Sequence, residues 1–195
     1  MARRQDSKPA APPGPVVRAV EPGDGAAISG LHARAMGPGR YARTAYRVRE
    51  GTPAFSPHCR VCLIGGRLVA AVRFTAVTVG GKGEALLLGP LAVDPAFANL
   101  GHGHALVAAA LEDARAAGIA LVVLVGDEPY YARLGFKRVP FGRIALPGPV
   151  DPARVLAVEL APGALESYSG MIAAAPARAP GGSAAPRRRP RKPRE

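Results

Sequence analysis

The hydrophobic positions of this chain fall into a few separated patterns. From Leu86 to Val93 the sequence is apolar at nearly every position, so both faces are expected to be covered, as in a central strand of a layered sheet. Gly89-Pro90 interrupts the run. Proline brings no N–H to a ladder and glycine accommodates a bulge, so the strand should bend away from one neighbour there and leave main-chain groups unpaired. Beyond the turn Asp94-Pro95 and a glycine-containing loop, Leu106, Val107, Ala110, Leu111 and Ala114 recur at helical spacing. Glu112, Asp113 and Arg115 take the opposite face, and Gly118 stops the helix. Ile119 to Val125 reads as a second buried strand, which completes a βαβ unit with a parallel pair and a right-handed crossover.

The flanking segments extend this unit. Val16 to Val20 alternates enough for an edge-like first strand, ended by Glu21-Pro22-Gly23-Asp24, where Asp24 is a candidate N-cap. A helix from about Gly25 to Met36 follows, and Gly37-Pro38-Gly39 breaks it. Arg40 to Glu50, with Tyr41, Tyr46 and arginines at 40, 43, 47 and 49, is a candidate second helix. His58 to Ile64 and Arg67 to Val79 read as a hairpin joined at Gly65-Gly66. Residues 80–83 turn the chain into the central strand, which is expected to open with Glu84. After the βαβ unit, Gly126 to Pro129 leads into a short helix bearing Tyr130 and Tyr131. Phe141 to Leu146 and Arg154 to Leu160 supply two more strands around the turn Pro147-Gly148-Pro149, and residues 147–172 are a candidate dimer surface. The expected fold class is α/β: a mixed sheet of about six or seven strands with helices on both faces, antiparallel at its start and parallel at a splayed central pair.

Composition narrows the class. The chain has 195 residues, 48% of them hydrophobic, and no apolar run near the roughly 20 residues of a membrane span, so one core-bearing domain and no membrane partner are expected. No signal peptide is visible. The net charge of +12 suggests nucleic acid until it is located. Much of it lies at the ends. Arg3, Arg4 and Lys8 oppose Asp6 in residues 1–14, while Arg178, Arg187, Arg188, Arg189, Arg191, Lys192 and Arg194 oppose only Glu195 in residues 173–195. Both ends are rich in Pro, Ala and Gly and read as disordered tails around a domain at 15–172, with the basic run at 187–194 a candidate contact for nucleic acid or an acidic surface. The excess of arginine over lysine, with abundant Ala, Gly and Pro, fits GC-rich bacterial coding, and a cytoplasmic enzyme is the default. Cys59-x-x-Cys62 invites a metal or redox reading. On a strand, however, residues three apart point to opposite faces and no second Cys pair completes a site, so reduced thiols and no metal are expected.

The loop after the central strand carries the chemistry. Gly101 and Gly103 let backbone approach a ligand closely, and their N–H groups lie at the positive end of the following helix, which makes an anion site suited to a diphosphate. The dinucleotide fingerprint G-x-G-x-x-G/A fails, because Leu106 holds its last position and residues 94–100 intervene between strand and glycines. A P-loop fails for want of Gly-Lys-Ser/Thr. What the segment resembles is the motif V-x-P-x-x-x-x-x-G-x-G-x-x-L of the GNAT superfamily of acyl-CoA-dependent N-acyltransferases: Val93-Asp94-Pro95, then Gly101-His102-Gly103, then Leu106. The second motif of that family, Y-x-x-x-G-F, is matched by Tyr131 to Phe136 in the expected place. One departure is Ala98, where the family usually carries Gln or Arg.

The resemblance implies acetyl-CoA as co-substrate and an amine, on a small molecule or a protein, as acceptor, with direct attack in a ternary complex. The diphosphate would lie on Ala98, Asn99, Leu100, Gly101, His102, Gly103, His104 and Ala105. The pantetheine arm would lie along the backbone of Leu91, Ala92 and Val93, whose amides also polarise the thioester. By the same resemblance Tyr131 protonates the departing thiolate, and a strand carboxylate or a water deprotonates the amine, with Glu84 the nominee and a solvated strand-end charge its other reading. His102 and His104 read as solvent-exposed loop residues. The two early helices would roof the acceptor site. Two other function classes remain open: a non-catalytic acyl-CoA-binding regulatory module, and a nucleic-acid-associated protein. Monomer and homodimer are both compatible with the sequence.

Overall fold

The computed structural model describes residues 14–37 and 44–176. The two expected tails and part of the candidate second helix thus lie largely outside the described residues. The elements in order are β1 (Val16–Ala19), α1 (Gly25–Met36), α2 (Thr44–Arg47), β2 (Arg60–Ile64), β3 (Arg67–Val79), β4 (Lys82–Val93), α3 (His102–Ala116), β5 (Leu121–Val125), α4 (Glu128–Tyr131), β6 (Lys137–Arg138), β7 (Ile144–Ala145), β8 (Val155–Glu159) and β9 (Gly170–Ala174). They form one mixed sheet in the order β1-β2-β3-β4-β5-β8-β6, with β9 paired to β3 and β7. β1 to β4 run antiparallel, and β4 and β5 are the parallel pair across the α3 crossover.

Alternation sorts the strands onto two helix layers. Cys62, Val72, Phe74, Leu86, Leu88, Val122 and Leu124 pack on one face against Leu106, Val107, Ala110, Leu111 and Ala114 of α3. Val61, Ala71 and Ala92 on the other face meet Ile28 and Leu31 of α1, and farther along it Leu87, Val123 and Tyr168 are buried. The strand count exceeds expectation because β6 is a two-residue strand, too short for a period, and β9 lies where turn residues hide the pattern; the strand expected over 141–146 is present but shrinks to β7. β9 also runs to Ala174, past the expected domain boundary at 172. It sits on the same side of β3 as β2: β2 covers Arg67–Val72 and β9 covers Val77–Val79. Within the segment 147–172, β8 and the start of β9 are engaged in the sheet. Tyr168, fully buried, fastens it by donating its hydroxyl to the Gly83 carbonyl at 2.7 Å. β4 opens at Lys82, two residues before the expected Glu84, so the turn shrinks to Gly80-Gly81.

Asp94 holds the loop between β4 and α3. Its carboxylate accepts from the Ala96 amide at 3.1 Å and from Arg67 Nη2 at 2.8 Å, with Arg34 of α1 at 3.5 Å. The Ala96 amide first, and Arg67 second, hold the Asp94 carboxyl below the usual carboxylate range. A carboxyl whose folded pKa is depressed contributes stability above its unfolded value, about 3.9, and loses it as the pH falls through the folded value. Asp94→Asn is accordingly expected to melt at a lower temperature than the parent at pH 7, with the difference in Tm shrinking as melts are repeated down to about pH 2.5. A difference independent of pH would show that the charge of Asp94 is not what holds the loop.

Candidate functional site

The parallel pairing of β4 with β5 stops early. Ala85, Leu86 and Leu87 pair with Leu121, Val122 and Val123, and beyond Leu87 the two strands have no further register. The cause lies in β4: opposite it, Val72 pairs with Leu91 and Phe74 with Leu88, so Gly89 and Pro90 together face the single residue Arg73. This is the bulge expected from Gly89-Pro90. Gly89 has φ of 112°, a value that favours glycine. A wedge-shaped gap opens from there toward the end of β4.

Ladder alternation decides which amides face the gap. The Asp94 N–H bonds to the Val69 carbonyl at 2.8 Å, which makes Val69/Asp94 and Ala71/Ala92 the hydrogen-bonded pairs. The N–H groups of Leu91 and Val93 therefore point away from β3 into the gap. The Ala92 amide turns to β3, so of the three expected backbone positions two offer donors.

At the mouth of the gap lies an open cleft of about 680 Å³, lined by Val93, Phe97, Ala98, Asn99, Gly101, His102, Gly103 and His104 from the loop and by Pro129, Tyr130 and Arg133 from across it. Gly101 caps α3 in the left-handed region at φ 81°, and Asn99 shares that region at φ 61°. The Ala105 amide already bonds to the Gly101 carbonyl, which leaves the earlier amides of the first turn directed outward. Leu100 is 63% exposed beside the cleft. Gly103 has a different reason to be glycine: a β-carbon there would collide with the Tyr130 hydroxyl. Contrary to the expectation of solvent-exposed loop histidines, both are half-buried. His104 stacks on Tyr130 at 4.3 Å between ring centroids, and His102 Nδ1 lies 4.0 Å from Cys62 Sγ.

Tyr131 sits next to this cleft but on the core side, edge-on to Phe136 at 5.6 Å and to Tyr130 at 4.8 Å, with its ring against Gly126 just after β5. Burial, then the neighbouring Tyr130 and Asp127, raise its phenol well above the usual tyrosine range. Glu84 is not brought to the gap. It lies at the opposite, closed end of β4, about 20 Å of strand from Leu91. There its carbonyl accepts from the Ala120 amide at 2.9 Å and its side chain lines a separate cleft with residues 117–119.

On the α1 face of the bulge lies a second pocket of about 320 Å³. α1 contributes Gly25, Ile28, Ser29 and His32, an i, i+3, i+4, i+7 stripe, and Tyr46, Phe55, Arg73 and Pro90 complete most of the wall. The buried Arg49 lies beside it, its Nη2 3.4 Å from the Leu88 carbonyl and its guanidinium over the Tyr46 ring at 5.5 Å. Sequence reading had placed acceptor recognition on the early helices without singling out His32, Arg49, Arg73 or Arg133. The cysteines form no joint site: Cys59 accepts from the Phe74 amide at 3.4 Å, whereas Cys62 faces α3. Among the described residues no group of three or more His, Cys, Asp or Glu side chains is placed to hold a metal, and no helix is long and apolar enough to cross a membrane.

This arrangement has counterparts among known proteins. The family model described as "Acetyltransferase (GNAT) family" matches residues 30–136. A crystal structure of a GNAT family N-acetyltransferase from Escherichia coli in complex with CoA is similar at TM-score 0.72 and 25% identity, covering 88% of this chain and 94% of that one. A GNAT family acetyltransferase from Brucella melitensis in complex with acetyl-CoA is similar at TM-score 0.57 and 28% identity, covering 74% and 95%. A search of curated proteins found no match. With more than half its length matched, and with the bulged strand, glycine loop and crossover helix in their places, the chain belongs to the GNAT acetyltransferase family.

Proposed function

We propose that this protein is an N-acetyltransferase that moves the acetyl group of acetyl-CoA to an amine by direct attack in a ternary complex. The observation that carries the reading is the gap between β4 and β5, which opens at the bulge beside the α1 pocket and has the glycine-loop cleft, with Val93 in its lining, toward the end of β4. The diphosphate rests on the outward amides of residues 100–104, where the helix dipole favours negative charge; the Ala105 amide, already bonded to the Gly101 carbonyl, is not among them. The pantetheine arm lies in the gap and pairs with backbone in the manner of an added strand. The Leu91 and Val93 amides are the donors available to the arm and to the thioester oxygen.

In the transfer, the amine lone pair attacks the thioester carbon, a C–N bond forms, and the C–S bond breaks. The amine gives up a proton, and the thiolate receives one from Tyr131. Because burial keeps the Tyr131 phenol protonated, it remains a donor across the neutral range. For the amine proton, the distance of Glu84 leaves His32, the imidazole on the acceptor wall, or a water chain reaching it. Ala98 removes the usual polar side chain from the phosphate loop, and Arg133 supplies positive charge to the same cleft from the other wall. Ala98 is also the residue that favours the second reading, an acyl-CoA-binding module without turnover. Thiol release from acetyl-CoA over a panel of amines separates the two: release dependent on amine supports the enzyme, and tight acetyl-CoA binding with no release across the panel supports the module.

Two substitutions test the parts. Gly103→Val puts a branched side chain into the space of the Tyr130 hydroxyl and over the outward amides, at roughly 1–3 kcal/mol. Acetyl-CoA affinity measured by calorimetry on the folded variant should fall at least several-fold, and unchanged affinity would remove the loop from the site. Tyr131→Phe keeps the ring against Gly126 and Phe136 but lacks the proton. Its kcat should drop by about 10²-fold with donor affinity nearly unchanged, while Tyr130→Phe keeps most of its turnover. With Tyr131 as the acid, the wild-type rate should show no alkaline loss from this group up to about pH 10. Equal rates in all three proteins would assign the proton to another donor.

A further inference from the structure

Direct transfer to an amine requires no cation on the acceptor side, yet two guanidinium groups flank the bulge there. Arg73 stands opposite Gly89-Pro90 and forms part of the pocket wall. Arg49 is only 6% exposed and reaches the Leu88 carbonyl with Nη2. Arg73 Nη2 donates to Thr52 Oγ1 at 2.9 Å and to the Pro53 carbonyl at 2.7 Å, both uncharged acceptors. The Nε atoms of Arg49 and Arg73 are buried without a hydrogen-bond partner, and neither side chain makes an ion pair among the described residues. No Asp or Glu is among the described residues lining the pocket.

A guanidinium buried beside a second, half-buried one is costly unless an anion joins them. The strain is visible in Arg49, whose guanidinium is lowered to about 10 by burial and then by Arg73. Stability alone gives no reason to place a guanidinium there, because the Leu88 carbonyl at 3.4 Å is a long contact and a neutral side chain would satisfy it. The guanidinium fork is matched to carboxylate and phosphate oxygens, which it binds in pairs.

Building on the transferase reading above, we infer that the pocket between α1, α2 and the bulge takes a small amine bearing its own anionic group, a carboxylate or a phosphate, held by Arg49 and Arg73. A pocket of about 320 Å³ is at the small end of ligand sites. Ile28 and Phe55 give it apolar walls for the carbon skeleton, and its anchoring at the bulge keeps the amine of a short skeleton within reach of the gap.

The test compares matched pairs with the full chain: leucine against leucinamide, and phosphoethanolamine against ethanolamine, at saturating acetyl-CoA. Wild type should use the anionic member of each accepted pair with kcat/KM at least about tenfold higher, even though the amide has the more easily deprotonated amine. In Arg73→Gln that ratio should fall toward one through KM, with acetyl-CoA affinity by calorimetry unchanged, and Arg73→Lys should restore part of it. A second measurement does not require turnover: the Tm of the protein, alone and with CoA, should rise with the anionic member of a pair and not with the neutral one, and this difference should vanish in Arg73→Gln. Equal use of both members, a ratio untouched by Arg73→Gln, or no anion-dependent rise in Tm would overturn the inference. Failure of the transferase reading looks different, as acetyl-CoA that does not bind or is never cleaved while the anion-dependent Tm shift persists.

Discussion

The loss of pairing between β4 and β5 beyond Leu87 and Val123 is the constraint on which the rest of this molecule depends. A parallel pair that stayed in register would satisfy its own backbone and leave nothing for a ligand. Instead, two residues of β4 are accommodated against one of β3, and the strand leaves its neighbour after three pairs. The Leu91 and Val93 amides are thereby left facing an empty wedge, while β3 still holds the other edge of β4 through Ala70, Ala71 and Val72. The rigidity of that remaining ladder matters as much as the opening. Backbone donors aim reliably only if the strand carrying them is fixed, and here both faces of the strand are packed, by α3 on one side and α1 on the other.

Glycine and packing constraints converge on the loop that follows. Gly101 is favoured by its φ of 81°, whereas Gly103 is favoured by the Tyr130 hydroxyl that lies against it. Tyr130 and Tyr131 thus divide the work of a single turn: one covers the glycine loop, and the other is turned into the core at the end of β5. Asp94 joins the loop to α1 and β3 through Arg34 and Arg67, so the donor cleft and the helix that walls the acceptor pocket share one carboxylate.

Much of this was legible from residue order. The run Leu86 to Val93, its interruption at Gly89-Pro90 and the α3 stripe carry periods long enough to be read, and they fix the central pair and its gap. β6 escaped because two residues have no period, and β9 because its neighbours look like loop, while the strand read over 141–146 is only Ile144–Ala145 long. Glu84 stands apart from the gap for a physical reason: the splay begins at the Gly89-Pro90 bulge, and Glu84 lies on the paired side of it at the other end of β4. The acceptor arginines left a faint signal. In Ala71-Val72-Arg73-Phe74-Thr75 the polar residues occupy alternate positions of an otherwise apolar strand, which marks a polar opening on one face. Arg49 gave no such mark, since its burial is decided by tertiary packing of the segment around α2.

On the proposed reading the two sides of the gap would handle charge in opposite ways. On the donor side, charge is met mostly by backbone: the first-turn amides and dipole of α3, with Arg133 on the opposite wall. On that reading a site built so would tolerate Ala98, because the missing side chain is one contributor among several groups whose positions the fold fixes independently. On the acceptor side the backbone is already committed. On the same proposed reading the free edge of β4 serves the thioester arm, α1 presents the flank that runs from Gly25 to His32, and side chains are left to set selectivity. Desolvated guanidinium groups are strong discriminators in that position, since an uncharged ligand would leave them uncompensated at a cost that an anion removes. The same argument explains why they sit beside the bulge and not at the rim. At the rim, water would screen both the penalty and the preference, whereas next to Gly89 each is retained where the reacting groups must meet.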